Sequence, residues 1–250
     1  MKIFIISVVI FIAALILLTQ GCKNSTGPDD TTGKNKTSNT DSTINVITKF
    51  IDNDYIELDK IYRISKFRSG IGHDYSDEFE SCRSMKHYFQ PKSGINWAEV
   101  KIFSPVDGVV SSLLEEWAGT QIRIHPAKYP DCLITIFHVK LSDVLKPGDS
   151  VKAGKQLGTH IGDQTMSDIA VGMNYKVKDI KDSTKYITKW KLISYFDIIT
   201  DKLWENYKAH GLNSRNDMQI SKEARDAHPL NCSGETFATT DTLENWVELK

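Results

Sequence analysis

The chain has 250 residues, 40% hydrophobic and 25% charged, and its 31 lysines and arginines nearly balance 32 aspartates and glutamates. A formal charge of -1 and a pI near 6.7 exclude a protein that holds nucleic acid through a basic surface. The apolar fraction is too high for general disorder, and four cysteines are too few for a disulfide scaffold.

Residues 1–21 place Lys2 ahead of an apolar run, Ile3 to Leu18, broken only by Ser7. That run is the length of a secretory signal and short of the roughly 20 residues of a membrane span, and no basic stop-transfer cluster follows it. It ends in Thr19-Gln20-Gly21-Cys22, which resembles a bacterial lipobox and makes Cys22 the expected lipidation site and mature N-terminus. Residues 22–45 read as a tether, since Lys23 to Thr43 contains no aliphatic or aromatic residue and cannot offset its ordering entropy. The expected location is therefore the bacterial cell envelope, periplasmic or surface facing, lipid-anchored at Cys22. Lys23, where a retention signal would place Asp, favours the outer membrane. In such an oxidising compartment Cys82, Cys132 and Cys232 allow one disulfide, and the sequence does not choose the pair.

Residues 46–250 form the expected folded part. Val100–Phe103, Gly108–Leu113, Thr120–Ile124 and Leu133–Phe137 are short β-branched runs separated by turn residues such as Pro105-Val106-Asp107-Gly108 and Pro147-Gly148-Asp149. The pattern predicts a mainly β fold, an antiparallel sandwich or open barrel, with short C-terminal helices. A strand is expected to run up to Ile198 and turn into a helix ending near Gly211. A second helix is expected over Ser221–Ala227, capped by Ser221. Arg83, Lys86 and His87 form a small cationic cluster able to meet an acidic ligand, with a solvated face as the default reading.

Two segments carry a resemblance. One is Gly72-His73-Asp74-Tyr75-Ser76-Asp77, followed after an insert by Phe103-Ser104-Pro105-Val106-Asp107-Gly108-Val109-Val110. The other is Ile136-Phe137-His138-Val139-Lys140-Leu141-Ser142, continuing through Pro147-Gly148-Asp149-Ser150-Val151-Lys152-Ala153-Gly154. Together they resemble the lysostaphin-type, LytM-like peptidoglycan zinc metallopeptidases, whose β core is the duplicated hybrid motif. The resemblance covers a core of about 68–198 and leaves 199–250 without a counterpart.

In that family a His-x-x-x-Asp pair and the second His of a final HLHFE strand hold zinc. The fourth position carries water, acidified for attack on an amide. The resemblance makes His73 and Asp77 the metal ligands and His138 the hairpin histidine that would assist catalysis. The last strand departs from the pattern. One register sets Ile193 and Tyr195 where the two histidines belong, and another sets Asp168-Ile169-Ala170 there. This leaves Tyr195 and Asp168 as remnants of the groove, and Tyr195, with a free pKa of about 10, is a poor ligand. His160 is an alternative third ligand. The reading that follows is a degenerate, non-catalytic envelope domain with weak or absent zinc. It would bind peptidoglycan peptides or regulate a cell-wall hydrolase, without nucleic acid. The alternative is an active zinc endopeptidase cleaving peptidoglycan crosslinks with a rearranged ligand set.

Overall fold

Alternating apolar residues between turns build the strands. A computed structural model describes residues 48–250, and the expected signal segment, Cys22 and the tether lie outside the described residues. In chain order the strands are β1 (Ile61–Ser65), β2 (His87–Pro91), β3 (Lys101–Phe103), β4 (Gly108–Glu116), β5 (Gly119–Pro126) and β6 (Cys132–Leu141). They continue with β7 (Ser150–Val151), β8 (Gln156–His160), β9 (Ser167–Lys178) and β10 (Tyr186–Ile193). Helices α1 (Tyr195–Ile198), α2 (Asp201–Ala209) and α3 (Lys222–Ala227) come next. The short β11 (Cys232–Ser233) and β12 (Thr236–Phe237) then form a hairpin of their own, before β13 (Trp246–Glu248).

Eleven strands form one sheet in the order β13-β1-β2-β9-β6-β5-β4-β7, with β10 also on β9 and β8 joining β3 to β6. Its strand pairs are antiparallel, so the expected mainly antiparallel β architecture is what forms. The long β9 organises the sheet. Its first residues pair with β2, its middle with β6, and Val171–Lys178 with β10.

Period-two alternation gives each strand one face to the core. Ile122, Ile136 and Ile169 are register partners across β5, β6 and β9, as are Ile124, Ile134 and Val171, and all six are completely buried. Each such side chain stabilises the fold by about 1.5–3 kcal/mol. The opposite face of the same strands carries Arg123, Thr135 and Ala170 in one row, and this second face borders the site.

The strand expected to reach Ile198 ends earlier. The Ser194 hydroxyl accepts from the Phe196 amide at 3.2 Å and caps α1, so Tyr195 starts a helical turn. α2 buries Leu203, Trp204 and Tyr207 and stops before Gly211, whose φ of 94° only glycine adopts readily. Ser221 caps α3 as its sequence predicts. The C-terminal residues 199–250 join the core: β13 extends the sheet beside β1, and the buried Arg225 binds Asp241 through both Nη atoms, at 3.0 and 2.5 Å. Cys82 pairs with Cys232, which ties the segment before β2 to the β11–β12 hairpin, and Cys132 is a buried thiol.

Candidate functional site

Three neighbouring strands bring one charged cluster together. Tyr88 of β2 is the register partner of Asp168 of β9, so Lys86, two residues earlier, shares that face. On β6 the register against β5 slips by a residue: Thr120 faces Val139, but Ile122 faces Ile136. This bulge puts the consecutive side chains of Phe137 and His138 against the same groove. It also holds His138 at φ 62°, a left-handed conformation that costs a residue with a Cβ on the order of 1 kcal/mol.

Lys86 Nζ lies 2.5 Å from Asp168 Oδ2, and His138 Nε2 lies 3.1 Å from Asp168 Oδ1. Asp168 is fully buried and Lys86 is 2% exposed. The ammonium also donates to His73 Nε2 at 3.2 Å and sits 4.1 Å from the Phe137 ring, 4.8 Å from Tyr75 and 5.0 Å from Tyr88. The hydrogen-bond partners fix the protonation states. His73 Nδ1 faces the Asp74 carbonyl at 2.9 Å, so it carries the proton and leaves Nε2 to accept from Lys86. Both nitrogens of His138 face acceptors, the Ala118 carbonyl at 3.1 Å and Asp168, and only the imidazolium has a proton for each.

Electrostatics agree with that assignment. Burial alone would raise the Asp168 carboxyl, but the Lys86 ammonium and His138 outweigh it and hold it below the ordinary carboxylate range. Burial would lower the Lys86 amine, yet Asp168 reverses this and raises it above the lysine norm. For His138 burial again opposes, and the bond and charge of Asp168 raise it. With two cations around one carboxylate, the floor carries an excess positive charge.

Above the cluster lies an open groove of about 1100 Å³. Tyr75, Tyr88 and Phe137 line it, and Trp117, 81% exposed at the β4–β5 turn, stands at its edge. Glu235 of the β11–β12 hairpin forms part of the rim, and its carbonyl accepts from the Asp74 amide at 2.7 Å.

The other expected site residues lie elsewhere. Asp77 spends both carboxylate oxygens on backbone amides, Oδ1 on Phe79 and Glu80 and Oδ2 on Leu192 at 2.7 Å, so it braces loop and strand and does not pair with His73. His160 is fully buried, its ring tilted against Trp97 at 4.4 Å and 6.4 Å from that of His138. Its Nδ1 accepts from the Gly162 amide, and burial lowers its pKa to about 4, which leaves it a neutral core histidine. Tyr195 is no remnant of the groove. It is completely buried in the core, its ring edge-on to Tyr55. Of the two registers for the last strand, the one through Asp168 reaches the site.

Lys86 is the residue the sequence reading misplaced. The cationic cluster divides among three environments: Lys86 enters the site, Arg83 binds Glu80 and Asp226, and His87 enters the core between the Ser65 carbonyl and the Ser194 hydroxyl. A lysine two residues ahead of Tyr88, beside the aromatic pair Tyr88-Phe89, was the available signal.

Zinc does not fit these residues. A tetrahedral site needs at least three imidazole or anionic donors around one point, and that point between His73 and Asp168 is filled by the Lys86 ammonium. Among the described residues no group of three His, Cys, Asp or Glu side chains could hold a metal.

No family model matches the sequence, and no curated protein matches it. Two solved structures are similar in part. One, assigned as a glycyl-glycine endopeptidase lytM from Ruminococcus gnavus ATCC 29149, is 20% identical over 48% of this chain and 46% of its own, with a TM-score of 0.31. The chain thus spans about half the length of that protein. The other, the SpoIIQ–SpoIIIAH pore forming complex, is 10% identical over 64% of this chain and 99% of that one, with a TM-score of 0.38.

Proposed function

We propose that this is a non-catalytic, peptidase-like domain of an exported, lipid-anchored envelope protein, whose groove binds peptidoglycan peptides. The observation that carries the non-catalytic reading is the buried Lys86 ammonium between Asp168 and His73. A hydrolytic metal would be repelled from that point by the fixed positive charge. The lysine supplies no chemistry in exchange, since an ammonium held charged by Asp168 has no lone pair to act as nucleophile or base. The sequence resemblance to wall peptidases supplies the ligand class. Trp117 offers an exposed face for a sugar or peptide plane at a groove lined by both signs of charge, Lys86 and His138 with Asp74, Glu116, Asp163 and Glu235.

Cosedimentation of the protein with purified peptidoglycan sacculi tests this. Retention at physiological salt, reduced by Trp117→Ala and without release of peptide fragments, is the expected result. Failure of the native protein to sediment would remove the reading, and chelator-sensitive release of fragments would replace it with an enzyme.

A further inference from the structure

The sheet face turned away from Ile122, Ile136 and Ile169 carries a second cavity. Arg123 of β5, Thr135 of β6 and Ala170 of β9 are register partners in one row, and Leu133, Gly172 and Leu192 form a row on β6, β9 and β10. A hollow of about 380 Å³ lies over these rows, within the roughly 300–1,000 Å³ of small-ligand sites. The floor is low because Ala170 and Gly172 are small. A Cβ on Gly172 would stand 1.9 Å from Trp190 Cζ2, so only glycine lets the indole pack against the strand and border the hollow from β10. Tyr75 lines both this hollow and the main groove.

Polar groups of the hollow lack protein partners. Thr135 is 4% exposed, yet no described residue hydrogen-bonds its hydroxyl. Buried hydroxyls normally find a partner, so one left open to a cavity points to a ligand. The Tyr75 hydroxyl is likewise unbonded among the described residues. His125 donates from Nδ1 to the Cys132 carbonyl at 2.8 Å, which leaves Nε2 as an acceptor. Arg123 brings a permanent charge, and none of the described residues lining the hollow is acidic. Its guanidinium is largely engaged: the Gln121 side-chain oxygen accepts from Nε and Nη2 at 2.8 and 3.0 Å, while the Gln121 amide donates to Glu116 Oε1 at 3.0 Å. A carboxylate would therefore find no free fork for a bidentate pair.

We propose that this hollow is a sugar-binding subsite for a pyranose ring, continuous through Tyr75 with the peptide-binding groove. A pyranose has apolar C–H faces and a rim of hydroxyls. The C–H face matches the Trp190 indole and the small apolar floor. The hydroxyls, each both donor and acceptor, match the open Thr135 and Tyr75 hydroxyls, His125 Nε2 and the remaining Arg123 Nη1. An ammonium finds no anion here, and an apolar side chain would leave the buried Thr135 hydroxyl unanswered. The inference rests on the groove reading only for the source of the ring, which is then the glycan that carries the bound peptide. The hollow's own groups select the sugar.

Titration calorimetry of the full-length protein with a peptide-free N-acetylglucosamine tetramer, beside cosedimentation with sacculi, tests this. Thr135→Val removes only the open hydroxyl and, with no protein partner to lose, should leave Tm unchanged. Trp190→Ala removes the aromatic wall, and circular dichroism checks that it folds. Tetramer binding by the native protein is expected, weakened about fivefold in Thr135→Val and more than about tenfold in Trp190→Ala. No tetramer binding by the native protein overturns the subsite, and retention on sacculi that still depends on Trp117 then leaves the groove reading standing. Tetramer binding kept by both hollow variants and lost in Trp117→Ala places the sugar at the β4–β5 turn and also overturns it. Tetramer binding lost in both hollow variants, with no retention on sacculi, upholds the sugar subsite and removes the groove reading and the wall as its source.

Discussion

Lys86 and Asp168 form a buried ion pair at 2.5 Å, and the carboxylate's other oxygen meets His138 at 3.1 Å. Two strands and a bulge converge on a single buried anion, so removing Asp168 leaves two cations without their counter-charge. Their arrangement leaves the cluster one positive charge in excess.

Breaking this pair should be costly and non-additive. Asp168→Asn is expected to lose about 3–5 kcal/mol in denaturant unfolding, because it strands the buried Lys86 ammonium, and Lys86→Met is expected to lose less, because Asp168 keeps His138 as its partner. The double variant should lose much less than the sum. Additive losses would show that the two charges do not depend on each other.

Acid should unfold the protein earlier than its surface charge suggests. Burial depresses the folded pKa of His87 to about 4 and that of His160 to about 4. Because these values lie below the unfolded histidine value of about 6.5, the stability from keeping each ring neutral is present above 6.5. It is lost as pH falls toward 4, about 3 kcal/mol for a ring fully excluded from water. His138 has the opposite sign: its pKa is raised, so its contribution is complete below about 6.5 and declines as pH rises through the folded value. Unfolding free energies across this range, compared between the native protein and His87→Gln, check the acid limb. An unchanged profile in the variant would assign the acid sensitivity to other groups.

Trp117 separates binding from folding. At 81% exposure its removal should change stability by less than about 0.5 kcal/mol while weakening retention on sacculi several-fold. A large drop in Tm would instead make it a packing residue.

The Cys82–Cys232 bond closes 150 residues and fixes the β11–β12 hairpin beside the groove. Its removal in Cys82→Ser/Cys232→Ser should cost about 2–5 kcal/mol and loosen the rim at Glu235 and Asp74. Proteolysis within 231–238 should then become faster, and ligand retention should fall more than in a distant variant of equal stability. Equal retention would detach the hairpin from the groove.

Chelator treatment should leave Tm unchanged and elemental analysis should find less than about a tenth of an equivalent of zinc, given the ammonium at the centre of the cluster. A Tm drop restored by added zinc would contradict the assignment of Lys86.

Local pattern was enough for much of this protein. Short β-branched runs between turn residues located β3 to β6, and glycine and serine marked the end of α2 and the start of α3, because each depends on neighbours in the chain. His138 was named from the hairpin and Asp168 from one register of the last strand, and the fold brings the two within 3.1 Å. What the sequence could not supply was the meeting of residues far apart: Lys86 with Asp168, Cys82 with Cys232, β13 with β1. The tertiary structure took Tyr195 and His160 into the core, turned Asp77 to the backbone, and moved Lys86 from an expected solvated face to the middle of the site. The near-neutral total likewise conceals a lysine-rich stretch over 174–191, because a total charge averages over the whole chain. The cost of burying an ammonium depends on what lies opposite it, and only folding brings that carboxylate there.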